Sequence, residues 1–439
     1  MDITRKEIMP GVSLTCLRSR KFKTACMSLS LLTQLERENA SMNALIPFVL
    51  RRGTTQYPDM QSISRRLEEL YGAAIEPVVR RVGEIQCIGF YASMAEDEFL
   101  PDGESLLRET AQLMGQLLLS PVTRGGLFLP EYVDSERDKL CERIASLIND
   151  KRRYAMTRCI EEMCCYESYA VGRFGSVSDC EGINYKKLTR RYRMLLQTSP
   201  VEVFYCGRAD DVAVERALRD ALSALPRGEV DYDIGTDVRM NAVEAEPRFA
   251  EESMDVAQGV LSMGFRLGDA MDEANMAALY VFNGVFGSGT TSKLFANVRE
   301  RLQLCYYAFS TLDVHKGIML VTSGIEFEKF DEAKNEILLQ LEEIKNGNIT
   351  DAELNAAKAG VASALRAGMD GHGELESFFL SQTLLGLDYD PEELAELAES
   401  VTADEIVAIA KGIECDMVYF LTGGGENDDY DEEESDAQA

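Results

Sequence analysis

Strand-like alternation of apolar and polar positions runs from Gly11 to Leu17 and from Thr24 to Leu31, and it returns from Asp255 to Phe265. After each stretch the period lengthens to that of a helix, giving apolar helices over Asn43–Arg52 and Glu273–Phe286. A second helix follows in each half, Ile63–Tyr71 and Ser292–Arg301, and then strand pairs that include Gly83–Ala92 and Gly317–Gly324. Long amphipathic helices come next, Glu104–Leu119 and Phe330–Ile344. Pro130–Glu136 then opens one long helix and Thr350–Leu354 another, the latter through a capping box. Late strands, Val201–Gly207 and Asp416–Gly424, close the two halves. The repeated order predicts a duplicated α+β fold, each lobe a mostly antiparallel sheet with helices on one face. The expected divisions are a lobe over 1–225, a polar, acid-rich linker over 226–252, a second lobe over 253–424 and an acidic disordered tail over 425–439.

A chain of 439 residues exceeds what one core supports, in keeping with two large lobes. Its charge is lopsided: 45 Lys and Arg against 75 Asp and Glu, a formal net charge of −30. Such a field repels nucleic acid and anionic membrane surfaces and makes basic peptides the natural visitors. No run approaches the roughly 18–20 apolar residues that a membrane span needs. The opening Met1–Glu7 lacks the apolar core of a signal peptide, and the eleven cysteines show no C-x-x-C spacing. Both features predict a cytoplasmic protein with reduced, buried and inert thiols. Adjacent Cys164 and Cys165 do not present themselves to one metal from one helix face. The basic cluster around Lys187 and Arg193 reads as a solvated helix face.

The order strand, helix, Arg52-Gly-Thr-Thr-Gln-Tyr-Pro58, helix, Tyr71-Gly-Ala, strand pair resembles the pitrilysin/insulinase-type zinc-peptidase family, to about Gly424. That resemblance implies two homologous LuxS/metallopeptidase-like lobes closing as a clam-shell. In the family, an H-x-x-E-H motif precedes a Gly-Thr; its histidines bind zinc and its glutamate activates the metal-bound water. Laid on Gly53-Thr54, the motif falls on Ala44, Pro47 and Phe48. The third ligand, a glutamate on the long downstream helix, falls on Arg143; a register one residue earlier offers Glu142, and a lone carboxylate does not hold zinc. The chain's two histidines, His315 and His372, stand in no such motif. Pro47 removes a helical donor and predicts a kink costing ~3 kcal/mol.

The second half resembles the family where an arginine and a tyrosine seven residues later grip substrate near the scissile peptide. Here they are Arg299 and Tyr306, with Gln303 where the family carries glycine. A guanidinium fork and a phenol both donate hydrogen bonds, as peptide oxygens and a developing oxyanion require. In two-chain members one subunit holds zinc and the other supplies this pair. The implied function is a catalytically inactive subunit with no cofactor of its own. It would be paired with a zinc-motif homologue as a heterodimer and act on a peptide or unfolded polypeptide. A non-catalytic bacterial branch of the family, associated with elongation factor P modification, is similar in overall texture. Arg299 and Tyr306 facing a large acidic cavity would favour this reading. The competing reading is a structural scaffold with no part in proteolysis. The histidine count opposes a third, a stand-alone peptidase with an unconventional centre.

Two features mimic other chemistry. Gly284 to Lys293 carries G-x-x-x-x-G, but two threonines separate Gly289 from the following Ser-Lys, and the segment follows a helix where a phosphate loop follows a strand. His372, between Gly371 and Gly373, reads as a loop residue and not a general base.

Overall fold

The computed structural model describes residues 1–100 and 105–424; the expected acidic tail and Glu104 lie outside them. In the first half, β1 (Asp2–Met9), β2 (Val12–Arg18), β3 (Thr24–Gln34), β4 (Ala74–Val82) and β5 (Ile85–Ala95) precede a two-residue ribbon, β6 (Thr123–Arg124) and β7 (Leu127–Phe128). With β8 (Val201–Gly207) the larger strands form one sheet, ordered β1-β2-β8-β3-β5-β4. Its helices are α1 (Arg37–Leu50), α2 (Met60–Glu69), α3 (Leu106–Leu119), α4 (Pro130–Ala145), α5 (Lys151–Met163), α6 (Val177–Glu181), α7 (Tyr185–Thr198) and α8 (Asp211–Ala221). In the second half, β9 (Arg248–Met254), β10 (Gly259–Arg266), β11 (Cys305–Asp313), β12 (Ile318–Ile325) and β13 (Glu414–Gly423) order as β11-β12-β10-β13-β9. Around them lie α9 (Met276–Phe286), a π-helical segment (Leu294–Arg301), α10 (Phe330–Lys345), α11 (Asp351–Gly368), α12 (His372–Leu385), α13 (Pro391–Ser400) and α14 (Ala403–Lys411).

Taken from the β4 edge, the first sheet runs β4-β5-β3-β8-β2, the same order as β11-β12-β10-β13-β9. The hydrogen-bond sense matches as well: β2–β8 and β9–β13 are parallel and the other equivalent pairs are antiparallel. The chain is therefore a duplicated α+β fold. Three local departures from the sequence pattern have simple causes. Polar Asp2–Met9 becomes an edge strand because β2 offers it a free ladder. Arg248 to Glu252 leave the expected linker to pair with β13. And α1 starts at Arg37 and passes through Pro47 without ending, the Arg51 amide still reaching the Pro47 carbonyl at 3.1 Å.

The sheets are covered on both faces, not one. Helix α5 of the first half packs across β10, β12 and β13, placing Cys159, Met163 and Cys164 with Val260, Leu320 and Tyr419 in one apolar cluster. In return α12 of the second half lies on the first sheet, Leu375 and Phe379 against Leu17, Phe204 and Cys206. Each large apolar side chain buried in this way contributes about 1.5–3 kcal/mol. Gly264 lets α5 seat the Met163 sulfur against β10, where a Cβ would stand 2.4 Å from that sulfur and force the side chain to shift. Full coverage explains why β10 is buried at every position.

Where the lobes meet, a charged network is sealed. The Lys316 ammonium, fully buried at the β11–β12 turn, donates to Glu84 at the β4–β5 turn and pairs with Glu167 after α5, each at 2.7 Å. Glu167 also binds Arg266 at 2.6 Å, Arg266 binds Asp416 at 2.9 Å, and Arg248 closes on Asp416 at 2.9 Å. Burial alone would raise the Glu167 carboxyl, but hydrogen bonds and charge from Arg266 and Lys316 outweigh it and hold the group below the usual carboxylate range. The stretch between the lobes is tethered here too, the Thr236 hydroxyl accepting from the Glu84 amide at 2.9 Å and Val243 N–H donating to Asp416 at 3.2 Å.

Lys316→Met would leave Glu84 and Glu167 buried without their shared cation, so a loss of about 3–5 kcal/mol is expected, read as a clear fall in Tm. An unchanged Tm would remove the network from the joint. The depressed Glu167 stabilises the fold at pH values above its unfolded range, and that share is lost as pH falls through its folded value. Acidification below the usual glutamate value of 4.5 should therefore erode the wild type more steeply than Glu167→Gln.

Candidate functional site

A cavity of about 1020 Å³ opens between the lobes, walled by β4, the end of α4, α5, the 172–175 loop, the β11–β12 turn and α12. The family resemblance directs attention to α1 and α4, of which α4 lines the cavity at Arg143 and Ile144. Ala44 is fully buried, Pro47 is buried and Phe48 is half-buried on α1. The Arg143 guanidinium lies over the Phe48 ring, 4.7 Å from its centroid, and 5.6 Å from that of Phe174. Residues 48 and 143 are thus brought together, as a ligand pair would have to be, but as a cation–π contact. Glu142, the alternative ligand, is exposed and does not line the cavity.

Local contacts fix this arrangement. The Ser41 hydroxyl of α1 donates to the carbonyls of Phe174 and Ser176, at 3.1 and 3.3 Å. Gly175 adopts φ +70°, and a Cβ there would run into Ser41, so the loop's closeness to α1 depends on glycine. Beneath it, fully buried Asn43 donates to Gln86 at 2.8 Å and accepts from Arg191 at 2.7 Å, filling the inward side of the helix with amide hydrogen bonds. Among the described residues no group of three or more His, Cys, Asp or Glu side chains is arranged to hold a metal ion. An alanine, a proline, a phenyl ring and an arginine offer zinc no lone pair at these positions, so the residues do not fit the metal that the resemblance implies.

Arg299 and Tyr306 lie elsewhere. Arg299 sits in the π-helical segment, its guanidinium 4.6 Å from the Phe295 ring and its Nε 3.6 Å from Glu300. Tyr306 is 61% exposed at a bulge that opens β11. Gln303 holds φ +51°, so the turn keeps a glycine-like conformation without the glycine. Neither Arg299 nor Tyr306 lines the inter-lobe cavity, which touches β11 at Leu312 and Asp313, six or seven residues further along. At roughly 3.3 Å per residue that separation is about 20 Å. The cavity is not acidic either. Its wall carries Arg80, Arg81, Arg143, Arg153 and Arg173 against Asp150, Glu161 and Asp313. Net charge describes the whole chain; this wall draws its arginines from four separate segments, which charge counting along the sequence does not bring together.

The remaining candidates are structural. His372 begins α12 and packs its ring, tilted by 49°, against Phe22 with centroids 4.1 Å apart, so it is not a loop residue. His315 contacts the Ser381 hydroxyl at 2.8 Å. Burial lowers both imidazoles, His315 against the opposing charge of Asp313, and favours their neutral forms. Burial pushes the thiols of Cys16, Cys26, Cys87, Cys164 and Cys206 up to about 12, which keeps them protonated and unreactive at neutral pH. Cys165 departs from the buried set, exposed in the turn where Cys164 faces inward. The cluster around Lys187 belongs to α7, which buries Leu188, Thr189 and Tyr192 and turns Lys187, Arg190 and Arg193 outward.

Known proteins share both sequence and architecture with this chain. Residues 182–361 match the family described as peptidase M16 inactive domain. The probable inactive metalloprotease YmfF of Bacillus subtilis is 31% identical over 414 residues, covering 94% of this chain and 96% of that protein. The mitochondrial-processing peptidase subunit beta of Saccharomyces cerevisiae is 30% identical over 141 residues, 30% of each chain. The crystal structure of a conserved protein from Enterococcus faecalis superposes with a TM-score of 0.87 at 27% identity, covering 98% of this chain and all of that one. A peptidase M16 inactive domain from Pseudomonas fluorescens shares the fold with a TM-score of 0.78 at 15% identity, over 97% and 99% of the two chains.

Purified without chelators, the chain is expected to carry far less than one zinc per molecule by elemental analysis. Added zinc should leave its Tm unchanged, since a specific site would add stability by mass action. One bound zinc per chain, or a rise in Tm with zinc, would contradict the reading of Phe48 and Arg143.

Proposed function

The chain belongs to the pitrilysin/insulinase-type (M16) peptidase family, and on that premise we propose that it is the non-catalytic subunit of a two-chain zinc peptidase. Its zinc-bearing homologue would cut, and this chain would hold the peptide or unfolded polypeptide substrate through Arg299 and Tyr306. The observation that carries the reading is the division of the site. Phe48 and Arg143 stack where the family motif and its distant glutamate fall, while Arg299 and Tyr306 remain present and accessible. A guanidinium whose nearest carboxylate is its chain neighbour at 3.6 Å, and a phenol 61% exposed, are free to meet groups from outside the chain. The relative named as a subunit, in yeast, supports the pairing by analogy. The resemblance to the non-catalytic bacterial branch extends the proposal to a role in elongation factor P modification.

In the reconstituted pair, Arg299→Ala and Tyr306→Phe should lower peptide cleavage by the partner while both variants co-elute with it as wild type does. A neutral hydrogen bond contributes ~1 kcal/mol and one involving a charge ~1.5–3 kcal/mol. Loss of a donor to the oxyanion costs roughly a hundredfold or more in kcat. A fall in kcat would assign Tyr306 to the transition state; a rise in KM alone would assign it to substrate holding. Full activity in the double variant would leave this chain as a scaffold.

A further inference from the structure

Among the described residues four guanidiniums of the inter-lobe cavity have no carboxylate partner; Arg81 instead donates to the carbonyls of Tyr169 and Val171, which leaves three. Among the described residues, Arg143, Arg153 and Arg173 form no ion pair within 4.0 Å, in a chain that carries 75 acidic residues. They arrive from different elements, Arg143 from α4, Arg153 from α5 and Arg173 from the loop clamped on α1, and all three line the same space. Arg173 is lowered by burial and then by the charges of Arg153, Arg143 and Arg81, the mark of a like-charged group held at close quarters. The acids of the wall do not answer them. Asp150 caps α5 by accepting the Arg153 amide at 3.0 Å, Glu161 pairs with Arg158, and Asp313 accepts the Tyr169 hydroxyl. The rest of the wall mixes apolar Ile144, Leu147, Met156, Ile160 and Leu312 with small polar side chains such as Ser146, Thr157 and Ser377.

We propose that this cavity binds an acidic stretch of polypeptide, its carboxylates gripped by Arg143, Arg153 and Arg173 and its apolar residues seated between them. Converging, unpaired guanidiniums are forks built for carboxylates. A volume of about 1020 Å³ exceeds what a single small anion fills, and arginines on three elements suit an extended ligand. The net charge of −30 disfavours a long polyphosphate, whereas a short acidic segment can be enclosed. The proposal rests on the reading of the chain as a polypeptide-holding subunit and reverses the charge of the substrate expected from composition. Two sources supply this chemistry: a separate acidic polypeptide, or the chain's own run through Asp428, Asp429, Asp431 and Glu432 to Glu434.

The test is fluorescence anisotropy on the full chain with a short labelled peptide alternating glutamate and leucine, beside its lysine counterpart. Wild type should prefer the glutamate peptide, more weakly as salt rises. The combined variant Arg143→Gln, Arg153→Gln, Arg173→Gln should bind roughly a hundredfold more weakly. Its Tm should be equal to or above wild type, because like-charge repulsion has been removed. Replacing the six tail acids by their amides in the full chain separates the sources. A severalfold gain in peptide affinity identifies the tail as occupant, and no change identifies a ligand in trans; both outcomes sustain the site. Absence of glutamate-peptide binding in both wild type and the tail variant would overturn it, as would equal binding in the arginine variant. The assay needs neither partner nor cleavage, so its failure leaves the pairing proposal standing, and failure of the pairing leaves this result readable.

Discussion

Lys316, sealed between Glu84 and Glu167, is the contact on which the two-lobed body turns. The cations Lys316, Arg266 and Arg248 balance the anions Glu84, Glu167 and Asp416, so the network is neutral as a whole. Buried ion pairs of this kind contribute little net stability against an apolar replacement, because desolvation consumes the Coulomb gain. Their geometric demand is strict, however. Apolar clusters under α5 and α12 tolerate sliding; a buried ammonium shared by two carboxylates does not. The exchange of helices supplies the free energy of the joint, and the network sets its register. Together they fix the cavity, whose wall draws on elements from both lobes.

At the position the family resemblance assigns to a metal, the chain supplies positive charge by another route. Zinc would bring two positive charges to ligands that include a carboxylate; here a guanidinium stands on a phenyl ring with no carboxylate beside it. The consequence is local positive charge in an acidic protein. The two proposed sites occupy different places. Arg299 and Tyr306 are exposed on the second lobe, suited to a neighbour, while the arginine-lined cavity lies between the lobes and belongs to this chain alone. Gln303, with φ +51° where glycine is usual, shows the Arg–Tyr segment keeping its turn against conformational strain.

The duplication was legible because period-two and period-3.6 patterns recur in the same order, and the strand order of the sheets bears that reading out. The missing metal motif was legible from residue identity: two histidines that share no helix turn cannot supply it. The helix exchange was not read, because the strands it covers carry no continuous apolar run to announce it. Thr24–Gln34 and Gly259–Arg266 carry Ser28, Ser30 and Ser262 among their apolar residues and so read like strands with one open face, although they are buried at nearly every position. The arginine cavity had no linear signature. Arg143, Arg153 and Arg173 come from three elements and meet on one cavity wall, where Gly175 lets its loop close on Ser41. Composition pointed the other way, since a global charge of −30 does not report where positive charge gathers.

On the proposed function, this chain completes a zinc peptidase that it does not itself contain. Native mass spectrometry of the chain co-expressed with the zinc-motif homologue of its own host tests that most directly. The account predicts an equimolar complex carrying one zinc, with peptide cleavage present in the complex and weak or absent in either chain alone. Separate chains, with the homologue fully active by itself, would contradict it.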